Sequence, residues 1–443
     1  TERGGLNKYN VYQQRFEYLE HNPNDDNSLS HRIVNSIYED DHYLWIGTAG
    51  GGLNRYNKHT KNFDHYTNDP SDPTSLPSNF VTSIFKDQRG AVWIGTWGMG
   101  LNQFVSEDGN EAQFVQYDIS DEPNGNFVST IEEDEDGILW IGSLKGIDTF
   151  NPFQKTSQEL NFRYHNGSIS EVGCMHFDRE NNLWVGTQNQ GLFKIHETGS
   201  NQIKPGVSKL DHFEYDPADP HSISGNYVIS ICESQDGSLW FGTYGNGFNH
   251  LRMDSSLNNT YKFVRYNEQD GLANNIVYGI LEDQDGNLWL STDNGLSEFN
   301  PRTKKFNNYF EEDGLQSNQF YWSAHYKNEI GKMYFGSMNG LNAFHPDSIH
   351  PRMSPVKPVI TDLRIYNRTV EVGRKYNNQV ILDTHITHSG NIVLPYQIEE
   401  FTLEFASLNY TQPGKIQYAY KLKGYTEQWT YVNSKRRFAS YTN

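Results

Sequence analysis

The chain predicts an all-β fold: a seven-bladed β-propeller followed by a partial immunoglobulin-like β-sandwich. One phrase recurs seven times, as Leu44–Thr48 (LWIGT), Val92–Thr96 (VWIGT), Leu139–Ser143 (LWIGS), Leu183–Thr187 (LWVGT), Leu239–Thr243 (LWFGT), Leu288–Thr292 (LWLST) and Met333–Ser337 (MYFGS), with its aromatic residue returning every 44 to 56 residues. A repeat of that length built from short strands is the signature of a propeller blade. Around each copy the apolar residues alternate with period two, as half-buried strands require. The composition agrees: 28 Tyr, 25 Phe, 9 Trp and 38 Gly suit many short strands joined by tight turns.

Taken in order, Gly5–Asn10 matches Gly52–Asn57 almost residue for residue. Residues 1–10 therefore read as a remnant strand of a preceding blade or propeller, or as a replacement for Gly340–Phe344. Residues 11–350 read as the propeller. Its blades follow one plan, seen in Val81–Asp87, the phrase Val92–Thr96, then Gly100–Phe104 and a last strand near Phe114–Asp118. The first strand should line the central channel, and the Trp of the second should pack between neighbouring blades. Turns such as Asp134–Gly137, Ser234–Gly237 and Asp283–Gly286 supply the positive φ of tight hairpins. Their acidic pairs lack the full ligand set of a calcium loop. The seventh repeat has no fourth strand after Gly340–Phe344, and Arg15–Leu19 is an outer strand without a blade, so pairing the two closes the ring. Residues 351–358 form a Pro-rich linker. Residues 359–443 read as the sandwich domain, with strands at Val359–Tyr366, Asn391–Leu394, Phe401–Phe405 and Ile416–Leu422, and with Ser440–Asn443 ending it before a closing pair.

A net charge of −19 opposes nucleic-acid binding, which needs clustered cations. The charge is uneven: residues 351–443 hold 12 Lys/Arg and 7 Asp/Glu, or +5, leaving −24 for residues 1–350. That asymmetry supports two domains. Cys174 and Cys232 are too few for a disulfide scaffold or a Cys-based zinc site. They read as buried thiols, with a bond across adjacent blades as the alternative. No apolar run is long enough to span a membrane. The first residue is Thr rather than Met, so the chain reads as an excised or processed piece.

Repeats of the form sIxxDxxGxLWIGTxxGGLxxY resemble the two-component regulator propeller repeat. The run from Leu394-Pro395-Tyr396 through Phe405, Tyr410, Tyr418–Leu422, Gly424-Tyr425, Trp429 and Ala439–Asn443 resembles the triple-tyrosine domain that follows such repeats. The resemblance covers nearly the whole chain. It implies the periplasmic sensor region of a hybrid two-component system of glycan-degrading bacteria, in which two propellers and a triple-tyrosine domain precede a membrane helix, a histidine kinase, a receiver and a DNA-binding module. The implied ligand is an oligosaccharide, the implied state a homodimer, and the implied location the periplasmic side of the inner membrane. The sequence departs from the family pattern by lacking the first propeller, the last strands of the triple-tyrosine domain and the kinase.

The residues following Gly-Thr/Ser should lie on the ligand-binding face: Ala49, Trp97, Leu144, Gln188, Tyr244, Asp293 and Met338. Trp97 and Tyr244 are aromatic, in blades two and five, and sugars stack on aromatic rings; each ring could equally pack on neighbouring loops. Tyr321 and Trp322 are expected where other blades place Val, either plugging the channel or meeting a ligand. His31 and Arg32 enter the first channel strand and could reach a hydroxyl or carboxylate. Asn79, Asn126, Asn226, Asn275 and Asn318 recur before channel strands and read as turn residues bonding to backbone. Lys435-Arg436-Arg437 reads as a solvated cationic run. Neither cofactor nor metal is expected, and no committed catalytic constellation is visible. A protein-interaction propeller is the second reading and a propeller glycosidase or polysaccharide lyase the third.

Overall fold

A short antiparallel sheet with apolar residues on both faces has to be sandwiched between neighbours, and a ring of such sheets gives every one of them two. The computed structural model describes residues 16–105, 112–119, 123–160, 162–164, 167–197, 208–254, 260–349, 357–407 and 417–442. The chain divides into two compact units, Gln13–His350 and one holding Pro351–Asn443. Among the described residues the first unit contains seven four-stranded antiparallel sheets. Their innermost strands are Val34–Glu39, Val81–Lys86, Val128–Glu133, Val172–Phe177, Val228–Glu233, Val277–Glu282 and Phe320–Lys327. Each lies against the next, and the last returns to the first, so the sheets form a closed ring.

The repeated tryptophans hold the ring together. Trp45 meets Phe104 of the following sheet at 4.9 Å, Trp93 meets Phe150 at 5.4 Å, and Trp140 meets Phe177 at 5.7 Å. Trp184 with Phe241, Trp240 with Phe299 and Trp289 with Phe344 continue the series. A buried indole must also place its N–H. Here it donates to the first residue of its own turn, at 2.8–3.0 Å: Asp40, Asp87, Asp134, Asp178, Ser234 and Asp283. The same Asp134 carboxylate accepts the amides of Asp136 and Ile138. The acidic turns are thus more than hairpin chemistry: one carboxylate organises the turn and anchors the inter-blade ring. The Gly that follows does take positive φ, 88° at Gly90 and 76° at Gly137.

The Gly of the phrase has a different reason. A Cβ on Gly47 would lie 2.5 Å from Cγ1 of Val81 in the next blade, so a side chain there would push the blades apart. A recurrent Glu ties the turns across the same junctions. Glu133 accepts from the Gln88 amide, Glu233 from that of Arg179, and Glu282 from that of Gln235. The seventh blade has Tyr334 in place of Trp, and Glu39 of blade one accepts from Asn328 beside it. The outer strand of that blade is Glu17–Leu19, antiparallel to Gly340–Phe344, with Phe16 edge-on to Phe344. Gly340–Phe344 itself holds the third place in its sheet; Gly5–Asn10 lies outside the described residues.

Both cysteines are free, and burial pushes each thiol up to about 12. Glu132, on the innermost strand of blade three, is partly reached by water yet enclosed by protein, and burial pushes its carboxyl up to about 8.

In the second unit, Pro358–Ile365, Glu400–Ser407 and Phe438–Thr442 form one antiparallel sheet with Arg368–Thr369. The stretch expected to end unpaired, Ser440 onward, therefore pairs: Glu400 faces Thr442 and Thr402 faces Ser440. Asn391–Leu394 is irregular rather than a strand. Ile392 and Leu394 still pack on the core of Leu363, Ile365 and Ile386, and Pro395, which has no amide to give a ladder, follows directly. Tyr418 and Tyr420 of the hairpin Gln417–Tyr420/Thr430–Asn433 pack on Phe405, and Tyr425 stands edge-on to Tyr441. The linker residues 351–356 and Tyr410 lie outside the described residues.

Two outcomes test this account. Asp134→Ala should lower stability to chemical denaturation by about 1–3 kcal/mol, the cost of leaving a buried donor unpaired, while Asp134→Ser, which imitates Ser234, should lose clearly less. For Glu132 the folded value lies above the unfolded one, near 4.5. Between those values the folded chain keeps a proton that the unfolded chain has lost, so stability falls as pH rises from about 5 to about 8. Glu132→Gln should remove that part of the fall in melting temperature.

Candidate functional site

On the face carrying the loops between second and third strands, the ring is chemically uneven. In blades one to three the residue after the first Val is polar and bonds to the next blade. Asn35 donates to the Val81 carbonyl at 3.0 Å, Thr82 to Val128 at 2.6 Å and Ser129 to Val172 at 2.6 Å. In blades five and six the same place holds Ile229 and Tyr278. At that place the polar side chains give way to apolar and aromatic ones, and in blade five the neighbouring Ser230 donates to the Val277 carbonyl instead, at 3.2 Å.

Blade seven departs further. In the other blades a Val pairs with the Thr or Ser of the phrase, as Val128 does with Ser143. Opposite Ser337 stands Phe320, fully buried. Tyr321 and Trp322 therefore do not replace that Val, as the sequence suggested. They belong to an enlarged bulge in which Tyr321–Ala324 face Gly336 alone, where blade one sets Asn35 and Ser36 against Gly47. The extra residues force the backbone to turn, and Ser323 takes φ 48°. Bulges of this kind re-aim side chains.

The re-aimed residues meet an aromatic cluster. Tyr244 stacks on Tyr227 with ring centroids 5.0 Å apart, Trp322 stands edge-on to Tyr227 at 5.7 Å, and Tyr244 lies 6.2 Å from Trp322. Tyr278 closes one side, 6.4 Å from Tyr244, and Tyr321 couples electrostatically to both. Tyr244 remains 40% exposed, so its ring is available on this surface. Two polar groups border the cluster: Tyr278 donates to Oδ1 of Asp293 at 3.0 Å, and Gln319 donates to the same oxygen at 3.0 Å. Burial first, then the Asp293 charge, raises the Tyr278 phenol far above its ordinary value, so it stays a neutral donor. The cup is thus built by blades five, six and seven.

Of the residues singled out from sequence, Tyr244, Tyr321 and Trp322 come together. Trp97 does not join them. It stays 41% exposed against Phe80 and Phe127, 6.1 and 4.9 Å away, at the junction of blades two and three. His31 and Arg32 stand at blade one. The Nδ1 of His31 accepts the Ile33 amide, and burial lowers its basicity; the Arg32 carbonyl accepts the Gly340 amide in the closing blade. The five asparagines behave as turn residues, for example Asn226 accepting the Tyr215 amide and Asn318 that of Glu311. Sequence reasoning missed Tyr227, Tyr278 and Gln319 as site residues. Their signal was present in two further columns, the residues just before and just after the first Val, where types also diverge between copies.

Four stretches of the chain, residues 75–98, 122–145, 222–245 and 271–294, match the family model of the two component regulator propeller. These stretches are similar to the repeat of that family. Each matched repeat ends two residues beyond its Thr or Ser, so the regulator repeat pattern stops on the face where Trp97, Tyr244 and Asp293 diverge. The chain is 26% identical over 434 residues, 98% of its length, to histidine kinase P4 of Formosa agariphila, covering 27% of that protein. A solved structure described as the extracellular domain of a hybrid two component system from B. thetaiotaomicron superposes with a TM-score of 0.69 at 25% identity, over 97% of this chain and 53% of that one. The chain thus spans about half of the solved relative and about a quarter of the kinase. Virginiamycin B lyase from Staphylococcus aureus, 15% identical with a TM-score of 0.53 over 74% of this chain and 97% of its own, shares the propeller fold.

Proposed function

We propose that this chain is the ligand-sensing part of an extracytoplasmic region of a hybrid histidine kinase, and that it detects an oligosaccharide controlling polysaccharide-utilisation genes. The observation that carries the reading is the aromatic cup: Tyr244 half-exposed over Tyr227, with Trp322 brought in by a bulge peculiar to blade seven. Pyranose rings present apolar C–H faces to such surfaces and hydroxyls to the polar groups at their edge. Regulator repeats, and relatives described as a histidine kinase and as the extracellular domain of a two component system, support the sensor half of the reading.

The proposed role is non-catalytic. Asp293 accepts two hydrogen bonds on one oxygen, which fixes the orientation of its carboxylate beside the cup. In the intact protein the chain would follow another propeller, work as a homodimer and lead through its triple-tyrosine domain to a helix crossing the inner membrane. A ligand that bridges Tyr244 of blade five and Trp322 of blade seven would favour one arrangement of those blades, and the rigid domain ahead of the membrane would carry that preference inward.

Calorimetry of the full chain against an oligosaccharide panel tests the proposal. Tyr244→Ala and Trp322→Ala should each weaken the sugar that binds by about 1–3 kcal/mol, the scale of aromatic anchors. Trp97→Ala, away from the cup, should leave affinity unchanged. Equal losses for all three variants would move the site off the cup, and binding of a protein with no sugar binding would favour the interaction-module reading.

A further inference from the structure

The cup also carries information about the charge of what it holds. Asp293 uses Oδ1 for both Tyr278 and Gln319, and its Oδ2 has no hydrogen-bond partner among the described residues. A carboxylate held this way presents an acceptor, and only an acceptor, to whatever rests on Tyr244 and Trp322. The ionised groups acting on the surrounding phenols are acidic too: Glu171 on Tyr227 and Asp293 on Tyr278. Among the described residues no lysine or arginine forms an ion pair with Asp293. A shallow depression of about 430 Å³ lies on the sequence neighbours of Asp293 and Gln319, lined by Asn294, Phe310, Glu311, Glu312 and Asn318.

We infer that the cup is selective by charge: it takes a neutral or amine-bearing oligosaccharide whose hydroxyls or ammonium donate to Asp293, and it rejects uronate-bearing and sulfated ones. The reasoning is electrostatic. A sugar carboxylate or sulfate would sit beside Asp293 with no cation to offset it, and like charges at close range are costly when partly shielded from water. A hydroxyl donor to an ionised oxygen makes a stronger bond than a neutral pair. Asp293 is therefore the specificity-determining residue of the cup. This rests on the glycan reading above.

The experiment uses the full chain and three sets of oligosaccharides of matched length: neutral, amine-bearing, and uronate-bearing or sulfated. Every binder is rechecked with Tyr244→Ala, so that only ligands of the cup are counted. Cup ligands should all be neutral or amine-bearing, and an amine-bearing one should weaken with added salt while a neutral one does not. Asp293→Asn should cut the affinity of the wild-type ligand about tenfold with an unchanged circular dichroism spectrum, since a charged acceptor is replaced by a neutral one. A uronate-bearing or sulfated binder that Tyr244→Ala abolishes would overturn the charge rule and leave the glycan site standing. So would an Asp293→Asn variant with wild-type affinity. Absence of any cup ligand in all three sets would overturn the glycan reading itself, and the charge rule with it.

Discussion

Each blade depends on the next through an indole that answers two demands at once. Its ring covers an aromatic residue of the following sheet, and its N–H returns to the turn of its own. The acceptor matters as much as the ring. Burial alone would push the Asp87 carboxyl upward, yet the Trp93 indole, the Ala91 amide and Arg89 outweigh it and hold the group ionised below its ordinary range. Packing between blades and the shape of each hairpin therefore stand or fall together. The phrase recurs because few other residues meet both demands.

That uniformity made the architecture readable. Seven phrases, their spacing, and the two incomplete elements at the ends point to a closed ring before any coordinate is known. Inter-blade packing of the Trp residues followed from their place on a strand buried on both faces. The site was less readable, for a physical reason. Its residues come from three kinds of position, after Gly-Thr, before the first Val and just after it, and only the first stands out against a uniform phrase. Trp97 and Tyr244 look equivalent at that position. What separates them is the partner blade: Trp97 faces Phe127, whereas Tyr244 faces Tyr278 and the bulge of blade seven. A bulge is invisible to a period-two pattern, which is why Trp322 was assigned to the Val position that Phe320 fills.

The uneven ring has a structural logic. Where Asn35, Thr82 and Ser129 bond across to the next carbonyl, neighbouring inner strands are tied at the channel mouth. Where Ile229 and Tyr278 stand instead, these side chains add apolar and aromatic surface, and in blade five the tie passes to the next residue, whose Ser230 hydroxyl donates to the Val277 carbonyl at 3.2 Å. Rings can slide or tilt at little cost, while a short hydrogen bond holds one geometry. The cup sits where apolar and aromatic residues take the place that polar ones hold in blades one to three.

The closing sheet combines Glu17–Leu19 with Gly340–Phe344, so both ends of the ring leave from one blade. A pull between residue 16 and residue 349 acts at one end of this antiparallel pair, so it is borne by the contact of Phe16 on Phe344 and then by three residue pairs that open in turn from Glu17 and Ala343. The other six blades lie outside that path. Tension along the chain would thus open the ring at one seam before it strained the cup, and the propeller behaves as a rigid link whose weakest coupling is its own clasp.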